Sequence, residues 1–243
     1  MAKSPAQISS SLICQTKEDF PSGDGKSTLI PPLHSFSAEQ FRKVKTHISL
    51  LSPPIRTILV TSAIPQEGKS TISMNLALAF AQEKQGKTFL IDADLRMPHI
   101  FPEFKSAGLS DYLAGRACWE EILIYFEAQN LTIIRAGTPS PIASELIGSP
   151  RMRELLANLR ERGEDTYIVI DSPPVLLASE ALIFSQFVDG IIMVVMADRA
   201  PKRAIHKAVD SIDREKIIGV IFNQKDLKPS RYYSNYYHGY YRR

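Results

Sequence analysis

The feature that most constrains the fold is a repeated alternation of short apolar segments with helical ones. Six segments of four to six residues are almost wholly apolar or β-branched, and they are 56–61, 87–91, 131–134, 167–170, 191–196 and 217–222. Segments with a helical pattern lie between them, at 70–84, 151–162 and 201–213. Strands that are apolar along their whole length belong to sheets covered on both faces. We therefore predict an α/β fold with a doubly wound, mostly parallel sheet.

A further helix is predicted ahead of the first strand. Phe41, Val44, Ile48 and Leu51 recur at steps of 3, 4 and 3, which places them on one face of a helix. We expect Ser37 to cap its start and the prolines at 53 and 54 to end it. Residues 1–36 hold seven serines and four prolines with little apolar periodicity, so we expect a disordered N-terminal segment.

The composition excludes several classes of protein. A net charge of +3 over 243 residues argues against a dedicated nucleic-acid binder. Two cysteines, Cys14 and Cys118, cannot build a disulfide framework, and five scattered histidines suggest no metal site. The apolar run at 191–197 is far shorter than the roughly 20 residues of a membrane helix, and no signal peptide is evident. We therefore expect a cytoplasmic protein.

A phosphate-binding loop is predicted between the first strand and the helix at 70–84. Residues 63–70 read AIPQEGKS, which is the P-loop pattern with Ala63 in place of the usual glycine. Backbone N–H groups of such a loop wrap phosphate oxygens, Lys69 would reach the β- and γ-phosphates, and the Ser70 hydroxyl would bind Mg²⁺. The fold would then be of the P-loop NTPase type. We expect the nucleotide to contact Ala63, Pro65, Gln66, Glu67, Gly68, Lys69, Ser70 and Thr71. Residues 25–27 also read GKS, but no strand precedes them and prolines follow, so we reject that site.

Carboxylates follow two other predicted strands. Asp92 and Asp94 stand in LIDADLRMP (90–98), and Asp171 stands in YIVIDSPP (167–174). Because side chains alternate along an extended chain, we expect Asp92 and Asp94 to point to one side. There they would hold Mg²⁺ or accept a proton from an incoming hydroxyl, with Asp171 as a further magnesium-organising carboxylate. The alternative is an ion pair between Asp94 and Arg96 that only fixes the loop.

Taken together, these segments resemble the bacterial tyrosine kinases of polysaccharide export (BY-kinases). The resemblance rests on SAIPQEGKST, LIDADLRMP and YIVIDSPP, and it is supported by AEQFRKVKTHI (38–48), GLSDYLAG (108–115) and ASELIGSPRM (143–152). It extends to a basic tail that holds six of the nine tyrosines, which are Tyr232, Tyr233, Tyr236, Tyr237, Tyr240 and Tyr241. The chain would divide into a disordered segment (1–36), a kinase domain (37–228) and a low-complexity, disordered tail (229–243).

The resemblance implies an ATP- and Mg²⁺-dependent autokinase that phosphorylates those six tyrosines, in trans between subunits. Lys69, Asp92 and Asp94 would be catalytic, and Ser70, Asp92, Asp94 and Asp171 would hold the metal. Glu39 and Arg42 resemble the family's subunit-contact motif, in which Lys45 replaces the usual arginine, and they imply a homo-oligomeric ring. The resemblance also implies a membrane-anchored activator of the polysaccharide co-polymerase type, a cognate tyrosine phosphatase and a place at the inner face of the membrane. Since no membrane segment is evident, we expect the activator on a separate chain.

Three alternatives remain open at this stage. A positioning ATPase of the ParA/MinD kind would share the sheet and the loop but would give the tyrosine tail no role. A regulatory GTPase is suggested by Asn223–Asp226 (NQKD), although its second residue is Gln instead of Lys, and Asn223 would equally suit a place near adenine. A non-catalytic, ATP-gated scaffold of an export machine is the third.

Overall fold

The computed structural model describes residues 36–82, 86–98, 100, 106–163 and 165–223. Several predictions concern residues outside these ranges. They are the disordered segment ahead of residue 36, the rejected GKS at 25–27, the six tyrosines of the tail, and the end of the predicted kinase domain at 224–228.

Within the described ranges, seven strands form one sheet in the order β3-β4-β2-β5-β1-β6-β7. All neighbours are parallel except β3 and β4, which pair antiparallel at one edge. The strands are β1 Thr57–Ser62, β2 Thr88–Asp92, β3 Leu123–Phe126, β4 Leu131–Ile134, β5 Tyr167–Asp171, β6 Gly190–Met196 and β7 Ile217–Asn223. The six predicted strands are confirmed. Strand β3 was not predicted, because an apolar run of four residues without flanking turn residues does not distinguish strand from helix.

Helices cover both faces of this sheet, which confirms the doubly wound α/β fold. They are α1 Phe36–Ser49, α2 Lys69–Ala81, α3 Leu109–Leu113, α4 Ala143–Ile147, α5 Pro150–Arg160, α6 Glu180–Ser185 and α7 Lys202–Ser211. Helices α1 and α2 bury their apolar residues on one face, and α3 to α7 bury theirs on the other. Among the described residues, none of the helices combines the length and the apolar character needed to span a membrane.

Helix α1 corrects part of the prediction for that segment. Phe41, Val44 and Ile48 pack into the core as expected. The helix already begins at Phe36, so Ser37 lies inside it, and it ends at Ser49, ahead of the prolines. Leu51 therefore lies beyond the helix and is 40% exposed. Three apolar residues are enough to hold α1 against α2, and the chain then leaves the core.

Helix α2 is buried on almost all sides because it lies between the sheet and α1. Nine of its 13 residues are buried, from Ile72 near its start to Ala81 at its end. Its sequence lacks a polar face for the same reason: it is rich in alanine and apolar residues throughout. This packing holds the first turn of α2, which carries Lys69 and Ser70, at the carboxyl edge of the sheet.

Candidate active site

The backbone conformation of the loop between β1 and α2 requires a glycine at position 68. Gln66 and Gly68 have φ angles of 61° and 88°, in the left-handed region. A Cβ added to Gly68 would lie 2.1 Å from Nδ2 of Asn223, so neither the angle nor the space admits a side chain. The loop thus turns sharply into the N-terminus of α2, where free N–H groups and the helix dipole favour a phosphate.

The buried side chain of Glu67 holds this loop against the rest of the protein. Its side chain is fully buried, and its two oxygens accept hydrogen bonds from the backbone N–H groups of Ile64 (3.0 Å) and Met196 (3.1 Å). Asn223, at the end of β7, donates from Nδ2 to the Glu67 carbonyl at 2.9 Å. The side chain of Glu67 is therefore directed into the protein, and its backbone is the part available to a nucleotide.

The remaining residues of the predicted nucleotide contact differ in burial. Ala63 is fully buried at the end of β1, whereas Pro65 and Gln66 are exposed. Gln66 Oε1 accepts a hydrogen bond of 2.6 Å from Arg199, which follows β6. Lys69, Ser70 and Thr71 are half-buried in the first turn of α2. Lys69 and Ser70 thus lie at the N-terminus of α2, and their contacts with phosphate and metal stay predictions.

Asp171 lies opposite that first turn, at the end of β5. Ser73 Oγ donates to Asp171 Oδ1 at 3.1 Å, and Ser70 donates to the same carboxyl group. Burial raises the pKa of Asp171 to about 6. The negative charge of Asp94 adds to this rise, while the two serines and the Lys69 ammonium oppose it. The site therefore holds a desolvated carboxylate that a bound cation would stabilise.

Asp92 and Asp94 lie beside Asp171, as the sequence predicts. Asp92 ends β2 and pairs in register with Asp171 on β5. Its oxygens accept hydrogen bonds from the backbone N–H groups of Asp94 (3.1 Å) and Ile100 (3.0 Å). Asp94 Oδ1 accepts one from Met97 at 3.0 Å. Asp94 lies two residues beyond the strand, so the alternation argument does not govern its direction; backbone hydrogen bonds of the loop do.

The loop after β2 is held by an ion pair that the sequence analysis did not foresee. Arg96 Nε donates to Glu180 Oε1 at 2.8 Å, and the Glu180 side chain is almost fully buried at the start of α6. This ion pair connects the loop to a different helix. The hydrogen bond to Glu180 and its negative charge, and to a smaller extent the charge of Asp94, raise the pKa of Arg96. The other carboxyl oxygen of Glu180 is also buried, and it has no hydrogen-bond partner among the residues that the structure describes.

The carboxylates and the hydroxyl fit a magnesium ion that is completed by phosphate. No group of three or more His, Cys, Asp or Glu side chains able to hold a metal by itself occurs in the described part of the chain. Mg²⁺ in nucleotide sites takes one or two carboxylates or hydroxyls and fills its other positions with water and phosphate oxygens. Asp171 and Asp94 around Ser70 suit that incomplete donor set.

The predicted subunit-contact residues lie along one side of α1. Arg42 Nη1 forms a 2.5 Å ion pair with Glu39 Oε2 one turn earlier. Lys45 lies a further turn along, and partial burial lowers its pKa. All three are half-buried within this chain.

Sequence reasoning missed three residues of the site. Ser73 lies one turn after Ser70 on α2, so its spacing is a usable signal once the helix is placed. Arg199 is marked only by its position three residues beyond the end of β6, a strand whose role the sequence does not reveal. Glu180 has no local signal, since a single acid at the start of a helix is ordinary capping chemistry.

No protein-family model matches the chain. The structure of the septum site-determining protein MinD from Pyrococcus horikoshii, complexed with Mg-ADP, aligns with a TM-score of 0.54 over 69% of this chain and 68% of MinD. At 22% identity that likeness shows the fold alone. Together with the loop described above, it defines a P-loop nucleotide-binding protein.

Closer relatives identify the family. Tyrosine-protein kinase YwqD of Bacillus subtilis is 31% identical over 209 residues, which cover 83% of this chain and 87% of YwqD. The crystal structure of the chimerical protein CapA2B2 aligns with a TM-score of 0.72 and 30% identity over 79% of this chain and 86% of the chimera. Succinoglycan biosynthesis transport protein ExoP of Rhizobium meliloti is 33% identical over 82% of this chain but only 26% of ExoP. The chain belongs to the bacterial tyrosine kinase family, and it is a protein-tyrosine kinase that uses ATP.

Proposed function

We propose that the protein is a Mg²⁺-dependent tyrosine autokinase whose acceptors are its own C-terminal tyrosines. These are Tyr232, Tyr233, Tyr236, Tyr237, Tyr240 and Tyr241. The observation that carries the proposal is the grouping of Lys69 and Ser70 with Asp94 and the desolvated Asp171 at one edge of the sheet. A tyrosine-rich tail on the same chain supplies acceptors that a positioning ATPase would not use.

The residues of the site have separable roles in phosphoryl transfer. The N–H groups of the loop and the Lys69 ammonium hold and stabilise the β- and γ-phosphates. Ser70, Asp92, Asp94 and Asp171 would hold Mg²⁺, directly or through water, and a bound Mg²⁺ would neutralise charge that builds on the phosphate oxygens. Asp92 and Asp94 are the groups available to accept the proton of an attacking tyrosine hydroxyl, the role in which such carboxylates serve other kinases.

Transfer in trans requires a second copy of the chain. The Glu39–Arg42 pair and Lys45 present a charged row along α1, and we place the contact with a neighbouring subunit of a ring there. Lysine lacks the planar fork of arginine, so we expect the contact at Lys45 to be weaker than an arginine would make it. Six phosphotyrosines would add roughly −9 to −12 charges, and we propose that this charge loosens the assembly.

The setting we propose is the control of exopolysaccharide or capsule synthesis. The name of ExoP, a biosynthesis transport protein that contains a region similar to this chain, supports it. The partners would be a membrane-anchored activator of the co-polymerase type on a separate chain and a tyrosine phosphatase that resets the tail. The kinase would then work in the cytoplasm, at the inner face of the membrane through its activator, without nucleic acid.

Intact mass of the full chain before and after Mg²⁺-ATP tests the function, followed by mapping of the phosphorylated peptide. We expect steps of one phosphate confined to Tyr232–Tyr241. Lys69→Ala should slow their appearance by about 100- to 1000-fold, because the main positive charge on the transferred phosphate is lost. Lys87→Ala is the matched control, since Lys87 is an exposed lysine at the opposite edge of the sheet.

Three outcomes would count against the proposal, and the first two require the cytoplasmic segment of the activator to be present. ATP hydrolysis without phosphotyrosine would assign the protein to the positioning ATPases that share its fold. ATP binding without turnover would favour the scaffold. Phosphate that still appears at the wild-type rate in Lys69→Ala would show that another protein in the sample is the kinase.

A further inference from the structure

The first two turns of α7 and the turn before them carry four arginine or lysine residues, which we call the α7 basic surface. They are Arg199, Lys202, Arg203 and Lys207, and all four are exposed. None of Lys202, Arg203 and Lys207 forms an ion pair with any residue in the described ranges, and Arg199 bonds only the neutral amide of Gln66. The two nearby acids are Asp198 and Asp210, and Asp210 is already paired with Arg214. This surface therefore has a net positive charge.

Folding does not require this charge. The buried side of α7 is made by Ile205 and Ala208, which pack against the core with Ile212 just beyond the helix. Lys202 and Arg203 occupy the first turn of the helix, where the helix dipole disfavours cations. Basic residues that face solvent and oppose the dipole add nothing to stability. An anionic occupant would explain their place.

The last described residue, Asn223, lies beside this surface. Residue 224 follows Asn223 at the end of β7, and the Asn223 carbonyl accepts a 3.0 Å hydrogen bond from the N–H of Ala197. Ala197 lies two residues before Arg199. The nine residues from Asn223 to Tyr232 span at most about 30 Å, whereas two helical turns measure about 11 Å. Every tyrosine of the tail can therefore reach the surface without crossing the molecule.

We propose that the α7 basic surface binds the phosphotyrosines of the same chain's C-terminal tail. The inference rests on the proposed autophosphorylation, which would add roughly −9 to −12 charges to the tail and make it strongly negative. Arginine and lysine pair with phosphate through charge-assisted hydrogen bonds, and the guanidinium of Arg203 offers a bidentate fork. The unmodified tail has four basic residues and no acidic ones from Lys228 onward, so the surface repels it. Phosphorylation thereby moves the tail from a neighbour's active site onto its own chain.

An apolar strip beside α7 suits the tyrosine rings. Val220 and Phe222 on β7 are 49% and 66% exposed. Val220 pairs in register with Met193, whose side chain belongs to the same core as Ala208 of α7, so this strip lies on the α7 face of the sheet. A phosphotyrosine has an apolar ring and an anionic head, and the strip and the basic surface offer one contact for each.

The test uses two labelled synthetic peptides of residues 228–243, one unmodified and one phosphorylated on all six tyrosines. Their binding to the unphosphorylated full chain is measured by fluorescence anisotropy. We expect only the phosphopeptide to bind, with an affinity that falls as salt is raised. Arg203→Gln with Lys207→Gln should weaken it about tenfold or more. Lys87→Gln with Arg153→Gln removes the same charge from exposed positions elsewhere and should leave binding unchanged.

The outcomes separate this inference from the autokinase proposal. Equal losses in both double variants, or no phosphopeptide binding to the wild-type chain, would overturn the docking surface even if the chain phosphorylates itself. A selective loss would uphold the surface even if the wild-type chain never gained phosphate, since the peptides are made synthetically. Phosphatidylglycerol vesicles form a third arm. Vesicle binding that depends on Arg203 and Lys207 while phosphopeptide binding does not would assign the surface to a membrane and refute the proposal.

Discussion

Two aspartates at opposite ends of the same sheet occupy very different surroundings. Asp189, at the amino end of β6, accepts from the N–H groups of Arg56 (3.0 Å) and Thr57 (2.7 Å) and pairs with Arg160 at 2.8 Å. Asp171, at the carboxyl end of β5, is fully desolvated and lies near the like charge of Asp94. Asp189 thus has a cation and two amide donors. Asp171 has two serine hydroxyls and a lysine that would turn to the nucleotide.

The two carboxylates therefore differ in their effect on stability: Asp189 stabilises the folded state, whereas the buried charge of Asp171 destabilises it. A half-buried charge such as that of Asp189, whose partners satisfy it, stabilises the native state, and its removal leaves those partners unpaired. A buried charge with a raised pKa destabilises the native state until a ligand compensates it. The amino end of the sheet therefore serves stability, and the carboxyl end carries the chemistry, as in other open α/β sheets.

The largest effect should come from Asp171→Asn. We expect phosphoryl transfer to fall by about 100-fold or more, because the substitution removes a negative charge that would hold the Mg²⁺ ion bound to the phosphates. The free energy of unfolding at pH 7 should rise by about 1–3 kcal/mol, since a folded-state pKa about two units above normal marks an unfavourable buried charge. Intact mass with Mg²⁺-ATP and urea unfolding measure the two quantities.

The same Asp-to-Asn change at the other end of the sheet should have the opposite effects on stability and activity. Asp189→Asn places an amide against the Arg160 guanidinium and removes the charge that holds it. We expect the free energy of unfolding to fall by about 1–3 kcal/mol while phosphoryl transfer per folded molecule stays near the wild-type rate. Urea unfolding and single-turnover kinetics test this pair. A higher free energy of unfolding for Asp189→Asn, or a lower one for Asp171→Asn, would contradict this difference between the two aspartates.

A smaller effect should show that the carboxyl end also contains a purely structural carboxylate. Asp111 on α3 accepts from the N–H groups of Gly108 (3.1 Å) and Thr138 (3.0 Å) and pairs with Arg116 at 3.0 Å. Burial works against its charge, but these donors outweigh burial and lower the pKa of Asp111 below its ordinary value of 3.8. We expect Asp111→Asn to cost about 1 kcal/mol of unfolding free energy at pH 7.

The pH dependence of that cost has a definite sign. Because the folded-state pKa of Asp111 is depressed, its stabilisation is present above pH 3.8 and is lost as the pH falls through the lowered value. The gap between wild type and Asp111→Asn should therefore close on acidification. Urea midpoints measured from pH 7 down to pH 3 would follow it. A gap that widens on acidification would mean that the carboxylate is not held by these donors.

Much of the site was predictable because its residues are adjacent in the sequence to the elements that place them. Ser62 ends β1 and Lys69 begins α2, so the loop between them had to turn at the carboxyl edge. Asp92 and Asp171 end strands that are apolar along their length, and parallel strands bring such ends together. Local pattern and strand direction were therefore enough to predict which carboxylates meet near Lys69.

Other contacts had no local signal. Glu67 was predicted as a nucleotide contact, yet its side chain braces the loop against the N–H of Met196, 129 residues away. Arg96 pairs with Glu180 across 84 residues. The antiparallel edge strand β3 is four residues long and forms because Leu131–Ile134 offers it a partner. Each depends on which segments become neighbours, and periodicity does not carry that information.

The sequence by itself determined the α/β class, six of the seven strands, the phosphate loop and the acidic strand ends. These follow from rules that act over a few residues: side-chain period, backbone freedom at Gly68, and charge at the end of an apolar strand. Only the tertiary structure decided the order of the strands, the anchoring of the loop by Glu67 and Asn223, and the desolvation that raises the pKa of Asp171. Burial and long-range pairing are properties of the packed chain, because a carboxylate is desolvated only by neighbours that folding brings to it.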